Sequence, residues 1–223
     1  MSNRKRIDDF LKFWAEVATE YPEFSFLDQQ AHKRVYHQLI MQGVPDEEKK
    51  YTLDKEETTA DGNVRPSVFN RWIEHFEGEK NTTAYVDPKR DYFCQFYSKD
   101  PAARMAKEHI KVYIPLDGKH IEKGVNLIFE FLAGNNISYV GMVGKKIRSD
   151  NIVIRLVKEE DVRKLLNFVK KNDYLQEGLL PPTPFAYEED GIAMVCDRKE
   201  SFNAIAASLI QVYMAKKRKE KKL

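Results

Sequence analysis

Residues 109–114 alternate strictly between apolar and polar side chains. Successive side chains of a β-strand point to opposite faces, so this alternation predicts a strand with one face against a core and one face available for chemistry. The apolar face would carry Ile110, Val112 and Ile114, and the polar face would carry His109, Lys111 and Tyr113. A chain with this segment is expected to build a sheet that helices cover on one side.

The segments around this strand show helical and strand patterns in turn. Apolar residues spaced three or four apart predict helices, and short apolar runs between turn residues predict strands. The predicted helices lie in the first forty residues and near 67–76, 121–132, 159–169 and 202–212, and the predicted strands lie at 92–97, 109–115, 137–143, 151–157 and 192–195. We therefore predict an α+β protein, in which a helical N-terminal third precedes a small mixed or antiparallel sheet packed by helices.

This pattern divides the chain into three regions. Residues 1–104 are predicted to form a mainly helical N-terminal region, with a mobile polar loop near 46–65. Residues 105–215 are predicted to form an α+β core domain. Residues 216–223 form a basic tail with six basic residues and one acidic residue.

The charge distribution argues against nucleic acid as the partner. The 223 residues include 37 basic and 35 acidic side chains, a net charge of +2. Because the tail alone contributes +5, the rest of the chain is slightly acidic. A basic terminus can bind nucleic acid, but this one has no interleaved aromatic residues for base stacking. We interpret it as a solvated helix end.

The sequence also bears on the compartment. No apolar run is long enough to span a bilayer, and no secretory signal follows the basic N-terminus. Cys94 and Cys196 are then expected to be free thiols in a reducing compartment. We predict a cytoplasmic protein without a membrane span, and secretion as an effector without a cleavable signal is compatible with these features.

Cationic residues cluster on the predicted strands and their turns. They are Lys107, His109 and Lys111 around one strand, Lys145, Lys146 and Arg148 in the turn before another, and Arg155 within it. If the strands are neighbours, these side chains would form a surface suited to a phosphate group, which arginine binds in bidentate fashion. The alternative is an ordinary set of exposed lysines and arginines on a half-buried sheet.

Several short motifs in order resemble one protein family. They are residues 109–117 (HIKVYIPLD), 148–155 (RSDNIVIR), 174–179 (YLQEGL), Pro184-Phe185, Asp190-Gly191-Ile192 and Ser201-Phe202-Asn203. Together they resemble the A-class Hop family of type III secretion effectors, and more closely its relatives in Gram-positive bacteria. That family is similar, more remotely, to the phosphothreonine lyases of enteric pathogens and to the lyase components of lanthipeptide synthetases.

The resemblance implies a lyase-like activity on phosphoserine or phosphothreonine in a peptide or protein. Such β-elimination uses a base, an acid and cationic groups that hold the phosphate, and it requires no metal or organic cofactor. The remote lyases carry Lys-x-His on a strand, which corresponds to Lys107-x-His109, with His109-x-Lys111 as the other register. Arg148 corresponds to an arginine of that family, and we expect it to bind the phosphate together with Arg155, which the strand pattern adds. The context would be a virulence effector or lanthipeptide biosynthesis.

One position departs from this family. Its members carry a Ser-Lys pair in which the lysine lies six residues before the arginine, whereas this chain has Gly141-Met142 before Arg148. Methionine cannot act as a general base. Two alternatives follow: Lys145 or Lys146 supplies the amine, or the chain is a pseudoenzyme that binds a phosphorylated or acidic partner without turnover.

Overall fold

The structure is a computed structural model that describes residues 3–20, 29–89, 92–197 and 201–221. It confirms the predicted α+β class. The helices are α1 (Asn3–Glu20), α2 (Gln29–Met41), α3 (Val68–His75), α4 (Ala102–Met105), α5 (Ile121–Gly134), α6 (Glu159–Lys171), α7 (Asp173–Glu177) and α8 (Phe202–Lys221). The strands are β1 (Glu57–Thr58), β2 (Val64–Arg65), β3 (Thr82–Val86), β4 (Phe93–Ser98), β5 (His109–Ile114), β6 (Tyr139–Gly144), β7 (Ile152–Leu156), β8 (Tyr187–Glu189) and β9 (Ile192–Asp197).

Seven of the strands form one sheet in the order β3-β4-β6-β7-β5-β9-β8. Every neighbouring pair in it is antiparallel. Strands β3 and β4 lie before residue 105, so the sheet crosses the boundary expected between the N-terminal region and the core domain. Periodicity did not predict β3, a five-residue edge strand with a threonine-rich start.

The segment predicted as a mobile loop, 46–65, contains a short 3₁₀ turn at Glu48–Lys50 and the β1–β2 hairpin. Leu53 within it is fully buried, and its backbone N–H donates to the Lys145 carbonyl oxygen at 2.9 Å. At the other end of the chain, α8 continues through Lys221 into the predicted basic tail. Lys222 and Leu223 lie outside the described residues.

Helices α3, α5 and α6 cover one face of the sheet and enclose the main core. The Phe96 and Phe129 rings stack there with centroids 4.1 Å apart. Gly141 on β6 lies directly beneath Phe129, and a Cβ atom at this position would stand 2.4 Å from the ring. The absence of a side chain at residue 141 therefore lets α5 approach the sheet.

Helices α1, α2 and α8 pack together around a second apolar cluster. Phe10 and Trp14 on α1 meet Val35 and Leu39 on α2 and Ile210 on α8. This group places the start of α8 and the middle of α2 beside the second face of the sheet. None of the helices in the described ranges has the length and apolar content needed to cross a bilayer.

Candidate functional site

A cavity of about 700 Å³ opens on the second face of the sheet, opposite the main core. Its floor consists of outward-pointing residues of β4, β6, β7 and β5. Its basic lining residues are Arg104, His109, Lys111, Arg148 and Arg155, and its aromatic ones are Tyr36, Phe93, Tyr97 and Tyr113. Asp150 is the acidic residue of the lining.

Strand register explains why residues from distant parts of the sequence meet here. Lys111 lies opposite Arg155, which lies opposite Val140 on its other side. Val140 in turn lies opposite Tyr97. Directly paired residues in a sheet share a face, so this row of side chains crosses four strands on the cavity side. The same register puts Met142 next to Val153 in the cavity floor.

The predicted polar face of residues 109–114 is the face that lines the cavity. His109, Lys111 and Tyr113 line it, while Val112 and Ile114 are fully buried in the core on the other side. Lys111 is itself only 4% exposed. A side chain so deeply buried is positioned by the surrounding protein and not by solvent.

Arg148 is anchored by a chain of polar contacts that the sequence motif supplies. Its Nε atom lies 2.9 Å from Asp150 Oδ1. The other Asp150 oxygen accepts a hydrogen bond from Asn203 Nδ2 at 2.8 Å, and Asn203 Oδ1 accepts one from Thr183 Oγ1 at 2.9 Å. Asp150, Asn203 and Thr183 are all buried, so this network fixes the guanidinium at the cavity wall.

The residues on either side of Asp150 hold the β6–β7 connection in place. Ser149 donates through both its hydroxyl and its N–H to the carbonyl oxygen of Ile40, at 2.9 and 2.8 Å. The Asn151 side chain forms hydrogen bonds with the backbone N–H and C=O of Leu116. The Ser149-Asp150-Asn151 run therefore connects the cavity wall to α2, to the segment that follows β5 and, through Asn203, to α8.

His109 has a defined tautomer in this environment. Its Nε2 atom lies 2.6 Å from the carbonyl oxygen of Ala103. A carbonyl oxygen can only accept, so Nε2 carries a hydrogen and donates it. In the neutral ring the lone pair is then on Nδ1. This nitrogen is the one that can exchange a proton with a bound group.

Three predicted lysines do not line the cavity. Lys107 is exposed and precedes β5, so the alternation of the strand does not extend to it. Lys145 Nζ lies 3.3 Å from Asp54 and 4.6 Å from the centre of the Tyr92 ring. Lys146 is exposed, and its backbone forms a bridge with Thr52. The chain turns away from the cavity after β6, which carries both lysines to the 52–54 segment.

Arg104 and Tyr36 were missed by the sequence analysis. Arg104 belongs to the four-residue helix α4, and its guanidinium carbon lies 5.7 Å from the centre of the Tyr97 ring. Tyr36 comes from α2 and hydrogen-bonds with the Ser201 side chain. Neither residue belongs to a motif, and a four-residue helix has no usable periodicity, so only the tertiary structure brings them here.

The hydroxyls of Tyr36 and Tyr97 in the cavity are neutral at physiological pH. Burial raises the pKa of Tyr97 to about 12, and its hydroxyl donates to Gln95 Oε1 at 2.5 Å. Burial, and then the nearby Asp150 carboxylate, also raise the pKa of Tyr36. The arginines of the cavity supply positive charge, and the Asp150 carboxylate offsets part of it.

The described part of the chain holds no group of three or more His, Cys, Asp or Glu side chains arranged to bind a metal ion. Cys94 is a core residue, and burial raises the pKa of its thiol to about 12. A thiol that stays protonated is a poor nucleophile. The side chains that line the cavity offer guanidinium, amine, imidazole, phenol and carboxylate groups.

Comparison with known proteins finds similar solved structures but no match by sequence. No family model matches the chain, and no curated protein matches it significantly. An effector protein from Pseudomonas syringae pv. tomato strain DC3000 has a similar structure, with a TM-score of 0.61 at 9% identity over 93% of this chain and 86% of that one. An effector protein from Pseudomonas syringae pv. syringae strain 61 gives a TM-score of 0.58 at 12% identity over 99% and 93% of the two chains. At these identities the comparison establishes the fold, which this chain shares with two bacterial effector proteins.

Proposed function

We propose that the cavity binds the phosphate of a phosphoserine or phosphothreonine residue in a peptide or protein, and removes that phosphate by β-elimination. The observation that carries this proposal is the convergence of Lys111, Arg148 and Arg155 with His109 in one cavity. The resemblance of the 109–117 and 148–155 motifs to effectors related to phosphothreonine lyases supports the same chemistry.

The row of paired side chains Lys111, Arg155, Val140 and Tyr97, here called the cationic row after its first two members, favours an anionic ligand. Lys111 and Arg155 are directly opposed on neighbouring strands. This pairing puts two basic side chains side by side in the cavity floor, where one anion can contact both. Arginine offers the planar, bidentate geometry that matches a phosphate group. The anchored guanidinium of Arg148 would hold the phosphate from a second direction.

The elimination step can be assigned to residues in the cavity. Lys111 is the lysine among the lining residues of the cavity, so its amine, in the deprotonated form, is the candidate base that removes the Cα proton of the phosphorylated residue. The electron pair forms the Cα–Cβ double bond while the Cβ–O bond breaks. Protonated His109 donates from Nδ1 to the departing phosphate oxygen. The products are a dehydroamino acid and inorganic phosphate, and the arginines stabilise the charge that develops on the phosphate.

A second candidate is binding without turnover, and Met142 favours it. Met142 lines the cavity. The family that the motifs of this chain resemble carries lysine at the corresponding position. Arg155 Nη1 lies 3.8 Å from the Met142 sulfur atom, so a thioether occupies the space beside the guanidinium. With Lys145 and Lys146 outside the cavity, neither is placed to supply the missing amine. A protein of this kind would recognise a phosphorylated partner without altering it.

Mass spectrometry of phosphopeptides distinguishes the two candidates. The wild-type protein is incubated with phosphothreonine and phosphoserine peptides of varied sequence, and loss of one phosphoric acid molecule is monitored. For the lyase, we expect Lys111→Ala to abolish product formation and Arg155→Ala to reduce its rate about 100-fold. Lys146→Ala, which removes an exposed lysine outside the cavity, is the matched control and should leave the rate unchanged.

For the binding protein, wild type binds the peptides but returns them intact, and Arg155→Ala weakens the binding. Met142→Lys is then expected to introduce elimination, because it restores an amine in the cavity floor. If the wild-type protein neither binds nor converts any phosphopeptide, both candidates are wrong.

A further inference from the structure

We propose that a second anion-binding subsite, formed by Lys99 and Arg104, accepts an acidic side chain of the bound phosphopeptide three or four residues from the phosphorylated residue. This proposal deepens the proposed function, on which it rests, by adding a sequence preference to the substrate. It makes the substrate an acidic phosphopeptide that lies across the sheet.

A smaller cavity of about 340 Å³ adjoins the large one. The two share Tyr97 and Arg104 as lining residues, so together they form one groove. The smaller cavity is otherwise lined by Thr83, Tyr85, Ser98 and Lys99. The groove thus continues from the cationic row toward the edge strand β3.

Strand register shows that the groove crosses the sheet in a straight line. Tyr97, which follows Val140 in the cationic row, lies opposite Thr83 on β3. The row that begins at Lys111 and Arg155 therefore runs on to the edge of the sheet. Tyr85 stacks on Tyr97 with centroids 5.5 Å apart, which provides a flat aromatic floor between the two cavities.

The charge of the smaller cavity is uncompensated. Its lining contains Lys99 and Arg104 and no acidic residue. Among the residues that the structure describes, no carboxylate forms an ion pair with either side chain. Both residues are exposed, so a ligand can reach them. A carboxylate is the side chain that complements two adjacent cations on a peptide-sized groove.

The spacing follows from the geometry of sheets and extended chains. Neighbouring strands lie about 4.8 Å apart, so Arg155 on β7 is roughly 10 Å from Tyr97 on β4 and 14 Å from Thr83 on β3. An extended peptide advances about 3.3 Å per residue. A phosphate held at Arg155 therefore places the residue three or four positions away over the smaller cavity.

Fluorescence anisotropy with labelled peptides tests this inference. The peptides contain the phosphonate analogue of phosphothreonine, in which carbon replaces the bridging oxygen so that elimination cannot consume the ligand. A single glutamate is placed two, three, four or six residues away on either side, in an otherwise uncharged sequence. We expect glutamate at three or four residues on one side to tighten binding about two- to fivefold.

Reversing the charge of Lys99 tests the subsite more directly than changing the peptide. Lys99→Glu should remove this preference and favour lysine at the same peptide position, whereas Lys146→Glu, a reversal at an exposed site outside the groove, should not. If the peptides bind with equal affinity wherever glutamate stands, the subsite is wrong and the phosphate site remains. If no phosphonate peptide binds at all, the proposed function fails and the subsite fails with it.

Discussion

Strands β4, β6 and β7 have one face packed in the core and one face that lines the cavity. On the covered face, Phe96, Gly141 and Ile154 pack beneath α5 and are fully enclosed. On the open face, the corresponding neighbours Tyr97, Val140 and Arg155 line a cavity. The comparison teaches that burial on one side fixes the positions of cationic groups on the other, because strand side chains alternate with a period of two.

This division predicts that substitutions on the covered face change stability, whereas those on the open face change binding. Residues at the border between the faces should change both. The variants below test that division, in order of the expected effect on the free energy of unfolding.

Phe129→Ala should have the largest effect. Phe129 is fully buried and stacks on Phe96, so truncation leaves a cavity in the main core and is expected to lower the free energy of unfolding by about 3–5 kcal/mol. Urea denaturation followed by circular dichroism measures this change. Tyr85→Ala removes an aromatic ring that is 41% exposed on the open face and should lower it by less than about 1 kcal/mol. Equal losses for the two variants would contradict the division between the faces.

Asp150→Ala tests a border residue. It removes the partner of Arg148 and of Asn203 together, and is expected to destabilise the protein by about 2–3 kcal/mol and to weaken phosphate binding. Thermal or urea denaturation and anisotropy measure the two effects on one sample. Asp54→Ala breaks the Lys145 ion pair away from the cavity and should cost less than about 1 kcal/mol with binding intact. Loss of stability in Asp150→Ala with unchanged binding would show that Arg148 does not contact the ligand.

Gly141→Ala tests how closely α5 approaches the sheet. The added methyl group would clash with Phe129, with an expected destabilisation of about 1–2 kcal/mol. Gly134→Ala is the control, because nothing lies within 4 Å of its added Cβ, and it should leave stability unchanged or slightly higher. Combining Gly141→Ala with Phe129→Leu should give a smaller loss than the two single losses together. If the losses in the free energy of unfolding of the two single variants simply add in the double variant, the methyl group does not contact the ring.

Glu122→Gln should have the smallest effect, and one that depends on pH. The Glu122 carboxylate accepts hydrogen bonds of 2.7 Å from both Nε and Nη2 of Arg71, joining α3 to α5. These hydrogen bonds lower the pKa of Glu122. A lowered carboxyl pKa stabilises the folded state above the unfolded-state pKa of about 4.3, and this contribution is lost as the pH falls through the folded-state value.

Because the pair is partly exposed, we expect the contribution to be below about 1 kcal/mol. Urea denaturation gives the free energy of unfolding at pH 7 and at pH 3. The difference between these two values should be smaller for Glu122→Gln than for wild type. Glu159→Gln, in an exposed pair with Arg163, should leave that difference unchanged. A pH dependence identical in wild type and Glu122→Gln would exclude this carboxylate as a source of acid sensitivity.

The sequence predicted secondary structure correctly where the apolar residues of a segment recur with a clear period. The alternation of residues 109–114 predicted both β5 and the face that lines the cavity, and the spacing of apolar residues predicted α5 and α6. It was less informative for short segments. Strand β3 and helix α4 have too few residues to show a period, and they bring Thr83 and Arg104 to the groove.

The predicted basic site residues also show what local sequence can predict and what it cannot. Seven candidate residues were named from the sequence, of which His109, Lys111, Arg148 and Arg155 line the cavity, while Lys107, Lys145 and Lys146 lie outside it. The residues of strand β5 kept the predicted face, since their direction follows from the backbone, and Arg155 on β7 shares that face because it pairs with Lys111. Residues in the turn after β6 did not, because contacts with the 52–54 segment direct that turn.

The amino-acid sequence by itself determined the α+β class, the order of most elements and the polar face of β5, because these follow from local spacing along the chain. Only the tertiary structure decided that β5 and β7 are neighbours, that β3 and β4 complete the sheet, and that Tyr36 and Arg104 line the same cavity. These arrangements depend on strand register and helix packing between distant residues, which no single segment specifies.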